Sequence, residues 1–508
     1  MAPRGIAATA GGILIAALVA LPAGSQQAAP QSAPHSAPPP VPPQGEQAAP
    51  AGTGPVITKQ YDDGSLYQGT FRAGRQHGQG SYKLPNGYEY TGDWVDGEIR
   101  GQGRARYPNG SIYEGAFADG RPEGQGRMVF ADGSTYEGAW TAGEMTGEGI
   151  LRHADGAVYS GHFLAGRPDG RGSMQSADGT RYDGAWKEGR REGDGRIDYP
   201  DGSVFEGAFV ADRRQGLGRL TLPDGMVYDG AWTDGRIEGQ GRLLQPSGDV
   251  YEGAFVNGQR EGEGRVLYGN GDRYEGGFSA DRRNGHGAFR QADGYSYEGD
   301  WKDGRREGQG TARYPDGSIY EGAFVADRPE GLGHITYADG SIYEGDWAGG
   351  SIAGTGKLTQ ANGLVYEGSF ASGKPEGKGR MTYPGGQTYE GDWIAGQPEG
   401  QGAARYPDGS AYEGTFHAGK REGAGTFTRP DGFRYEGTWA EGAMSGEGVA
   451  TYPSGDVYTG SFRDGRRNGQ GVFRYASGRE VSGMWTAGEL NLPEAAAPPA
   501  ESSEPPAQ

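Results

Sequence analysis

The residue types that catalyse reactions or hold metal ions are present in this sequence, but they do not gather into a motif. The seven histidines are His35, His77, His153, His162, His286, His334 and His417. Their spacing matches no zinc-binding or general-base pattern. Because the chain has no cysteine, a thiolate metal site, a disulfide and a cysteine nucleophile are excluded. We therefore expect no catalytic residue and no metal site.

Glycine-rich and acidic stretches recur along the chain, but neither has the pattern of a nucleotide or cation site. Gly-x-Gly triplets such as Gly124 and Gly126 lack the Lys-Ser/Thr of a phosphate loop and a following helix. Aspartates before glycine, such as Asp132 and Asp316, are typical of tight turns, and their spacing matches no calcium loop. The sequence thus predicts a protein that is not an enzyme and that has no cofactor.

Composition narrows the class of protein further. The 508 residues include 67 acidic and 48 basic side chains, a formal net charge of −19. We expect no binding to nucleic acid, since such binding depends on surplus Lys and Arg. With 101 glycines and 34% hydrophobic residues, the chain is too polar for several ordinary globular cores. Yet 30 Tyr, 16 Phe and 9 Trp are far more rings than disordered chains carry, so something buries them.

A strict internal period accounts for these rings. A triplet of an aromatic residue, any residue and glycine recurs every 23 residues without an insertion, and its nineteenth copy is degraded. The triplets begin at Tyr67, Tyr90, Tyr113, Tyr136, Tyr159, Tyr182, Phe205, Tyr228, Tyr251, Tyr274, Tyr297, Tyr320, Tyr343, Tyr366, Tyr389, Tyr412, Tyr435, Tyr458 and Val481. Since no insertion interrupts the period, each unit must stack on its neighbours.

One unit, residues 113–135, reads YEGAFADGRPEGQGRMVFADGST and defines positions 1 to 23 of the repeat. Glycine occupies positions 3, 8, 12, 14 and 21, with Asp212, Asp281 and Asp327 as exceptions at position 8. Positions 1, 3 and 5 alternate with small or polar residues, as do positions 14, 16 and 18, which predicts two strands with one buried face. A polar turn is expected around positions 7 to 11, and Pro-Asp-Gly-Ser or a relative predicts a tight turn after the second strand. Each repeat is thus predicted to be one hairpin, in which glycine leaves room for rings over bare backbone.

Tryptophan and phenylalanine alternate at position 5, apart from one slip where Phe255 is followed by Phe278. The tryptophans are Trp94, Trp140, Trp186, Trp232, Trp301, Trp347, Trp393, Trp439 and Trp485. The alternation predicts a packing unit of two repeats, with large and smaller rings interdigitating along a seam. One interpretation is that the rings form the core. The other is that partly exposed rings bind a glycan, lipid or peptide. All the tryptophans before Trp485 are therefore candidate binding residues.

The units resemble MORN repeats. The resemblance lies in the Tyr-Glu-Gly-x-Trp/Phe start, the Gly-x-Gly after the turn and the Asp-Gly before the next start, and it covers residues 59–490. Phe205 and Val481 depart from the tyrosine start, and Val481 suits a terminal cap. The resemblance implies an all-β fold, an elongated, curved, single-layer antiparallel β-sheet solenoid of tandem 23-residue hairpins with an aromatic groove. It also implies a scaffold, a membrane-associated module or a dimerising rod. With two strands per repeat at the usual strand spacing, nineteen repeats predict a rod about 180 Å long.

The segments outside the repeats indicate export. Residues 1–25 carry a short basic start, an apolar run over Ile13–Leu21 and then small residues, as in a signal peptide, with an uncleaved membrane anchor as the alternative. Residues 26–58 read as a disordered Pro/Ala-rich linker, residues 59–490 as the repeat array and residues 491–508 as a disordered Pro/Ala/Glu tail. We expect a periplasmic, cell-envelope or secreted location.

Adjacent arginines at positions 9 and 10 form a second candidate binding surface. They are Arg190, Arg191, Arg213, Arg214, Arg282, Arg283, Arg305, Arg306, Arg466 and Arg467. Along one edge they would engage a phosphate or carboxylate polymer, whereas acidic residues at position 11 of the same turns favour local neutralisation. We predict a non-catalytic, rod-like scaffold for protein–protein interactions in the cell envelope, near the membrane and as a homodimer. The alternative is an envelope glycan- or lipid-binding module that uses the aromatic groove.

Overall fold

The computed structural model describes residues 54–491, and the elements in that range are 39 β-strands. The predicted signal segment 1–25, most of the linker 26–58 and the tail from residue 492 lie outside the described residues. The chain divides into two compact units, one up to Arg282 and one from Arg283 onward. The all-β, single-layer antiparallel hairpin fold predicted from the sequence is confirmed.

In the first unit each strand pairs antiparallel with the next one along the chain, as β1 does with β2 and β6 with β7. Its strands are β1 (Ile57–Gln60), β2 (Leu66–Arg72), β3 (Arg75–Lys83), β4 (Glu89–Val95), β5 (Glu98–Arg106), β6 (Ile112–Ala118), β7 (Arg121–Val129), β8 (Thr135–Thr141), β9 (Glu144–Arg152), β10 (Val158–Leu164), β11 (Arg167–Gln175), β12 (Arg181–Lys187), β13 (Arg190–Asp198), β14 (Val204–Val210), β15 (Arg213–Thr221), β16 (Val227–Thr233), β17 (Arg236–Leu244), β18 (Val250–Val256), β19 (Gln259–Leu267) and β20 (Arg273–Ser279).

The second unit continues the same pattern of antiparallel neighbours, as between β24 and β25. Its strands are β21 (Arg282–Arg290), β22 (Ser296–Lys302), β23 (Arg305–Arg313), β24 (Ile319–Val325), β25 (Arg328–Thr336), β26 (Ile342–Ala348), β27 (Ser351–Thr359), β28 (Val365–Ala371), β29 (Lys374–Thr382), β30 (Thr388–Ile394), β31 (Gln397–Arg405), β32 (Ala411–His417), β33 (Lys420–Thr428), β34 (Arg434–Ala440), β35 (Ala443–Thr451), β36 (Val457–Arg463), β37 (Arg466–Arg474), β38 (Glu480–Thr486) and β39 (Glu489–Asn491).

The turn at the hairpin tip is shorter than the sequence predicts. Asp119 and Gly120 at positions 7 and 8 have φ of 49° and 74°, as a type I′ turn requires. Pairing resumes at Arg121, so positions 9 to 11, which were predicted to lie in the turn, belong to the second strand. This turn matches the right-handed twist of the strands. A register shift between Gly115 and Phe117 bends the hairpin farther along.

The turn between repeats, at positions 18 to 22, forms as predicted. The backbone N–H of Phe130 donates to the carbonyl of Ser134 at 2.8 Å, and that of Gly133 donates to the carbonyl of Phe130 at 3.0 Å. The Asp132 carboxylate accepts the backbone N–H of Ser134 at 2.9 Å. The aspartate of the Asp-Gly-Ser sequence therefore holds the turn rather than a ligand.

Aromatic rings lie over glycine on one face of each hairpin, which confirms the predicted role of the strand glycines. Tyr113 is fully buried, and a Cβ on Gly115 or Gly126 would collide with its ring. The Tyr113 hydroxyl donates to the carbonyl of Ala116, at the register shift, over 3.0 Å. The position-1 tyrosine is therefore held both by its ring and by its hydroxyl group.

The ring at position 5 joins consecutive repeats. Trp140 lies edge-on to Tyr136 of its own repeat at 5.3 Å and to Tyr113 of the preceding repeat at 5.2 Å. Its indole N–H donates to the carbonyl of Gly126, also in the preceding repeat, at 3.3 Å. Phe117 makes the same pair of ring contacts. Because each ring bridges two repeats, an inserted residue would separate the contacts, which explains the strict period.

Candidate functional site

The structure places the candidate binding tryptophans in the core. Their exposed fractions lie between 1% for Trp140 and 8% for Trp347, except for the half-buried Trp186. Indole N–H groups also donate to backbone carbonyls, as in Trp232 to Gly218 at 3.2 Å. The indole faces are covered by neighbouring side chains and do not form an open row, so they serve primarily as packing groups.

The two arginines of each candidate pair lie on opposite faces of their strand. The position-9 members are exposed, and they are Arg190, Arg213, Arg282, Arg305 and Arg466. The position-10 members are half-buried, and they are Arg191, Arg214, Arg283, Arg306 and Arg467. Since successive residues of a strand point to opposite faces, the predicted arginine stripe consists of two separate rows.

Three position-10 arginines form an ion pair with the following repeat. Arg260 Nε lies 3.2 Å from Asp281 Oδ1, and the same oxygen accepts the backbone N–H of Arg260 at 3.0 Å. The other pairs are Arg191 with Asp212 and Arg306 with Asp327. The three aspartates are the exceptions to glycine at position 8. The sequence does carry a signal for this pairing, since each aspartate follows its arginine by 21 residues. The chemistry of the turn alone does not reveal that signal.

Where position 8 is glycine, the position-10 arginine lies over the tryptophan of the next repeat. The Arg283 guanidinium is 4.1 Å from the ring centroid of Trp301, and the Arg214 guanidinium is 4.7 Å from that of Trp232. Arg214 also donates to the Tyr199 hydroxyl at 2.8 Å. These arginines cover the aromatic face through cation–π contacts.

The acidic residues at position 11 bind backbone, not the neighbouring arginines. Glu192 accepts the backbone N–H of Ala211 at 2.9 Å, and Glu307 accepts that of Ala326 at 3.0 Å. Both acceptors reach the hairpin tip of the next repeat. Their carboxylates therefore link repeats, and the position-9 arginines beside them keep exposed guanidinium groups.

The face opposite the rings carries alternating charges at positions 2 and 15. Arg104 lies 2.9 Å from Glu114, and Lys357 lies 2.8 Å from Glu367. Both pairs are about half exposed, so solvent screens them and each contributes little to stability. This row offers a repeated polar surface in which such ion pairs join consecutive hairpins.

Within residues 54–491, no three acidic or histidine side chains gather in a way that would hold a metal ion. Over the same residues, no helix has the length and apolar character needed to cross a membrane.

The solved structures to which the chain is similar are remote. The TCP domain of SAS-4 (dCPAP) of Drosophila melanogaster is 17% identical over 37% of this chain and 98% of that chain, with a TM-score of 0.22. The TCP10 domain of Danio rerio CPAP is 15% identical over 57% of this chain and 99% of that chain, with a TM-score of 0.15. Virginiamycin B lyase from Staphylococcus aureus is 9% identical over 65% and 99%, with a TM-score of 0.10. Likenesses this weak carry no argument about function.

No curated protein matches the chain. The MORN repeat model, by contrast, matches 18 successive segments between residues 67 and 478, the first at 67–87 and the last at 458–478. The matched segments start at the same tyrosines, and at Phe205, that open the hairpins of the structure. The chain therefore belongs to the MORN-repeat family.

Proposed function

We propose that this chain is a non-catalytic repeat scaffold that binds partner proteins. The observation that carries the proposal is the burial of the rings at positions 1 and 5, exemplified by Tyr320 at 0% and Phe324 at 1% exposure. Because these rings are buried, the accessible surface consists of repeated rows of polar and charged residues, with exposed aliphatic side chains such as Leu217 and Leu332 among them. Such rows suit an extended protein partner that contacts several repeats at once.

A glycan- or lipid-binding module is the weaker candidate. Gripping a sugar ring or an acyl chain requires an accessible aromatic face. The indoles are covered by neighbouring rings and by position-10 side chains, as Trp301 is by Arg283. The arrangement therefore favours the scaffold over the ligand-binding groove.

We further propose that the protein is exported to the cell envelope or secreted. The proposal rests on the basic start, the apolar run over Ile13–Leu21 and the small residues that follow it. Fractionation of the source cells tests it, because a cytoplasmic chain would contradict export. Mass spectrometry of the purified protein distinguishes cleavage near Ser25 from an uncleaved anchor.

Tryptophan fluorescence tests the proposed scaffold. We expect blue-shifted emission that acrylamide quenches poorly and that neither envelope glycans nor lipid vesicles shift, because the indoles are core. A Thr141→Trp variant is the control, since Thr141 is exposed and an indole there must be quenched readily. Quenchable native emission that shifts saturably with one glycan or lipid would overturn the scaffold in favour of the groove.

A further inference from the structure

Five rings in the second unit form a continuous surface near the end of the repeats. We name this surface, with the arginines above it, the aromatic–arginine patch. Its rings are Phe427, Phe433, Tyr452, Phe473 and Tyr475, with successive centroids 6.4, 5.6, 5.9 and 4.8 Å apart. The chain of contacts crosses three repeats. The rings therefore present one surface rather than isolated side chains.

All five rings of the patch are half-buried. In the first repeats the same columns are closed off, since Tyr82, Tyr88, Tyr107 and Phe130 at positions 16, 22, 18 and 18 have exposed fractions of 1%, 2%, 4% and 9%. Single tyrosines at position 18 are half-buried in other repeats, as Tyr199 and Tyr383 are. The patch joins five such half-buried rings in one line of contacts.

Four arginines lie over the patch. The guanidinium of Arg429 is 4.6 Å from the Phe433 centroid, and that of Arg479 is 4.4 Å from the Tyr475 centroid. Arg421 lies over Phe427 and Arg467 over Phe473, at 5.6 and 5.2 Å. Arginine and aromatic side chains together are the composition that dominates binding energy at protein interfaces.

Two of these arginines have no acidic partner in the part of the chain that the structure describes. Arg421 donates to the carbonyl of Gly442 at 2.8 Å, and Arg467 donates to that of Gly488 at 2.7 Å. Both glycines stand at position 8, where Asp281 pairs with Arg260 in the first unit. The patch therefore carries positive charge that its own repeats leave uncompensated.

The acids nearest the patch are engaged in turns. Asp431 accepts the backbone N–H of Phe433 at 2.9 Å and pairs with Arg429 at 3.0 Å. Asp456 accepts the backbone N–H of Ala476 at 2.8 Å. Asp408, which also interacts with Arg429, accepts the backbone N–H of Ser410 at 2.9 Å. With four arginines against these three aspartates, the patch is basic in a chain whose formal net charge is −19.

We propose that the aromatic–arginine patch is the docking surface for an acidic, proline-rich segment, and that its occupant is residues 492–508 of this chain. The segment contains Glu494, Glu501 and Glu504 and no lysine or arginine. Its prolines are Pro493, Pro498, Pro499, Pro505 and Pro506. The carboxylates complement the arginines, and the proline rings stack on aromatic faces, as in other proline-rich recognition. This contact goes beyond the proposed scaffold role.

The reach of the segment fits the patch. β39 pairs antiparallel with β38, and Asn491 lies opposite Met484, so the chain leaves β39 heading for the edge that carries Tyr475. In a polyproline helix of about 3.1 Å per residue, residues 492–508 span about 50 Å. The patch spans three repeats, each about 10 Å along the sheet. A segment bound in that conformation would present Glu501 and Glu504, three residues apart, to the same side.

Fluorescence anisotropy with a labelled synthetic peptide of residues 492–508 tests the proposal. A chain ending at Asn491 keeps every described strand, and we expect it to bind the peptide saturably and more weakly as salt rises. The full chain should bind at least tenfold more weakly, because its own segment occupies the patch. A peptide with all three glutamates changed to glutamine should lose at least tenfold in affinity.

Arg479→Glu is the test variant, and Arg466→Glu is its matched control. Both arginines are exposed, but only Arg479 lies over the patch. Arg479→Glu should weaken binding to the shortened chain at least tenfold, and Arg466→Glu should leave it within twofold. Absence of binding to the shortened chain would overturn the proposal, as would equal losses in the two variants. Equal binding to the full and shortened chains would overturn the occupant and assign the patch to a partner instead.

Discussion

At the scale of single residues, the fate of a position-10 arginine is decided by the repeat that follows it. Arg260 has Asp281 beside it and forms an ion pair, whereas Arg283 has Gly304 in that column and lies over Trp301. The sequence shows both residues of each pair. It does not show that positions 9 and 10 face opposite ways, because the predicted turn placed both of them outside a strand.

The first prediction concerns the Arg260–Asp281 pair, whose side chains are 12% and 11% exposed. Asp281→Asn should destabilise the protein by about 1–2 kcal/mol, since it removes a charge-assisted bond from a poorly solvated site. Asparagine tolerates the φ of 68° at this position, so backbone strain does not contribute. The shift in the urea unfolding midpoint measures the change.

Arg213 and Asp234 supply the matched control for this prediction. They form an ion pair at 3.0 Å, but their side chains are 65% and 68% exposed. Asp234→Asn should therefore cost less than about 0.5 kcal/mol. Equal costs at the two sites would show that burial does not strengthen the Arg260–Asp281 pair.

At the scale of the hairpin, the sequence predicted both strands and both turns but misplaced one boundary. Glycine at position 12 resembles a turn residue, and Gly124 does adopt a φ of 72°. It does so at the register shift inside the second strand, where a left-handed residue is also needed. Periodicity shows where glycine is required and does not distinguish a bulge from a turn.

The second prediction follows from the type I′ turn at the hairpin tip. Ala395 and Gly396 have φ of 50° and 87°, so an alanine occupies a left-handed position. Ala395→Asn should stabilise the protein by about 1 kcal/mol, because the left-handed conformation costs asparagine less free energy than it costs alanine. Thermal or urea unfolding of the full chain measures the gain.

Asn257 provides the reverse control for the turn. It stands at the same position of another repeat with a φ of 50°. Asn257→Ala should destabilise the protein by a similar amount, with a small share from the lost contact to Arg236 at 3.3 Å. If both substitutions were neutral, strain at the hairpin tip would not limit stability.

At the scale of the whole molecule, the period, the number of hairpins and the ring-bearing face could be predicted because every repeat shows the same pattern. Local departures from the repeat could not be predicted. Tyrosine is common in the column of Tyr475, but Phe433 fills a column in which many repeats have serine, and the ring contacts that join the two pass through Tyr452 and Phe473 of the next two repeats. The geometry of the hairpins does not depend on export or on the identity of a partner, so both stay predictions.

The third prediction concerns alkaline pH and the row of buried tyrosines. Burial raises the pKa of Tyr182, Tyr251 and Tyr320 from 10.0 to about 12. Between these values the folded state holds protons that the unfolded state releases, so the stability contribution is complete below pH 10 and is lost as pH rises through 12. Ionisation also removes the donors that bind the position-4 carbonyls, as in Tyr320 to Ala323 at 3.0 Å.

Because the same group recurs along the repeats, we expect the β-sheet signal in circular dichroism to collapse steeply between pH 10 and 12, together with the rise in tyrosinate absorbance. A triple variant, Tyr182→Phe, Tyr251→Phe and Tyr320→Phe, should unfold at higher pH than the native chain. Phe205 shows that phenylalanine fits this column, since it is fully buried and lies edge-on to Trp232 at 5.2 Å. Tyrosines that titrate near pH 10 while the sheet signal persists would show that the position-1 hydroxyls are not held in the core.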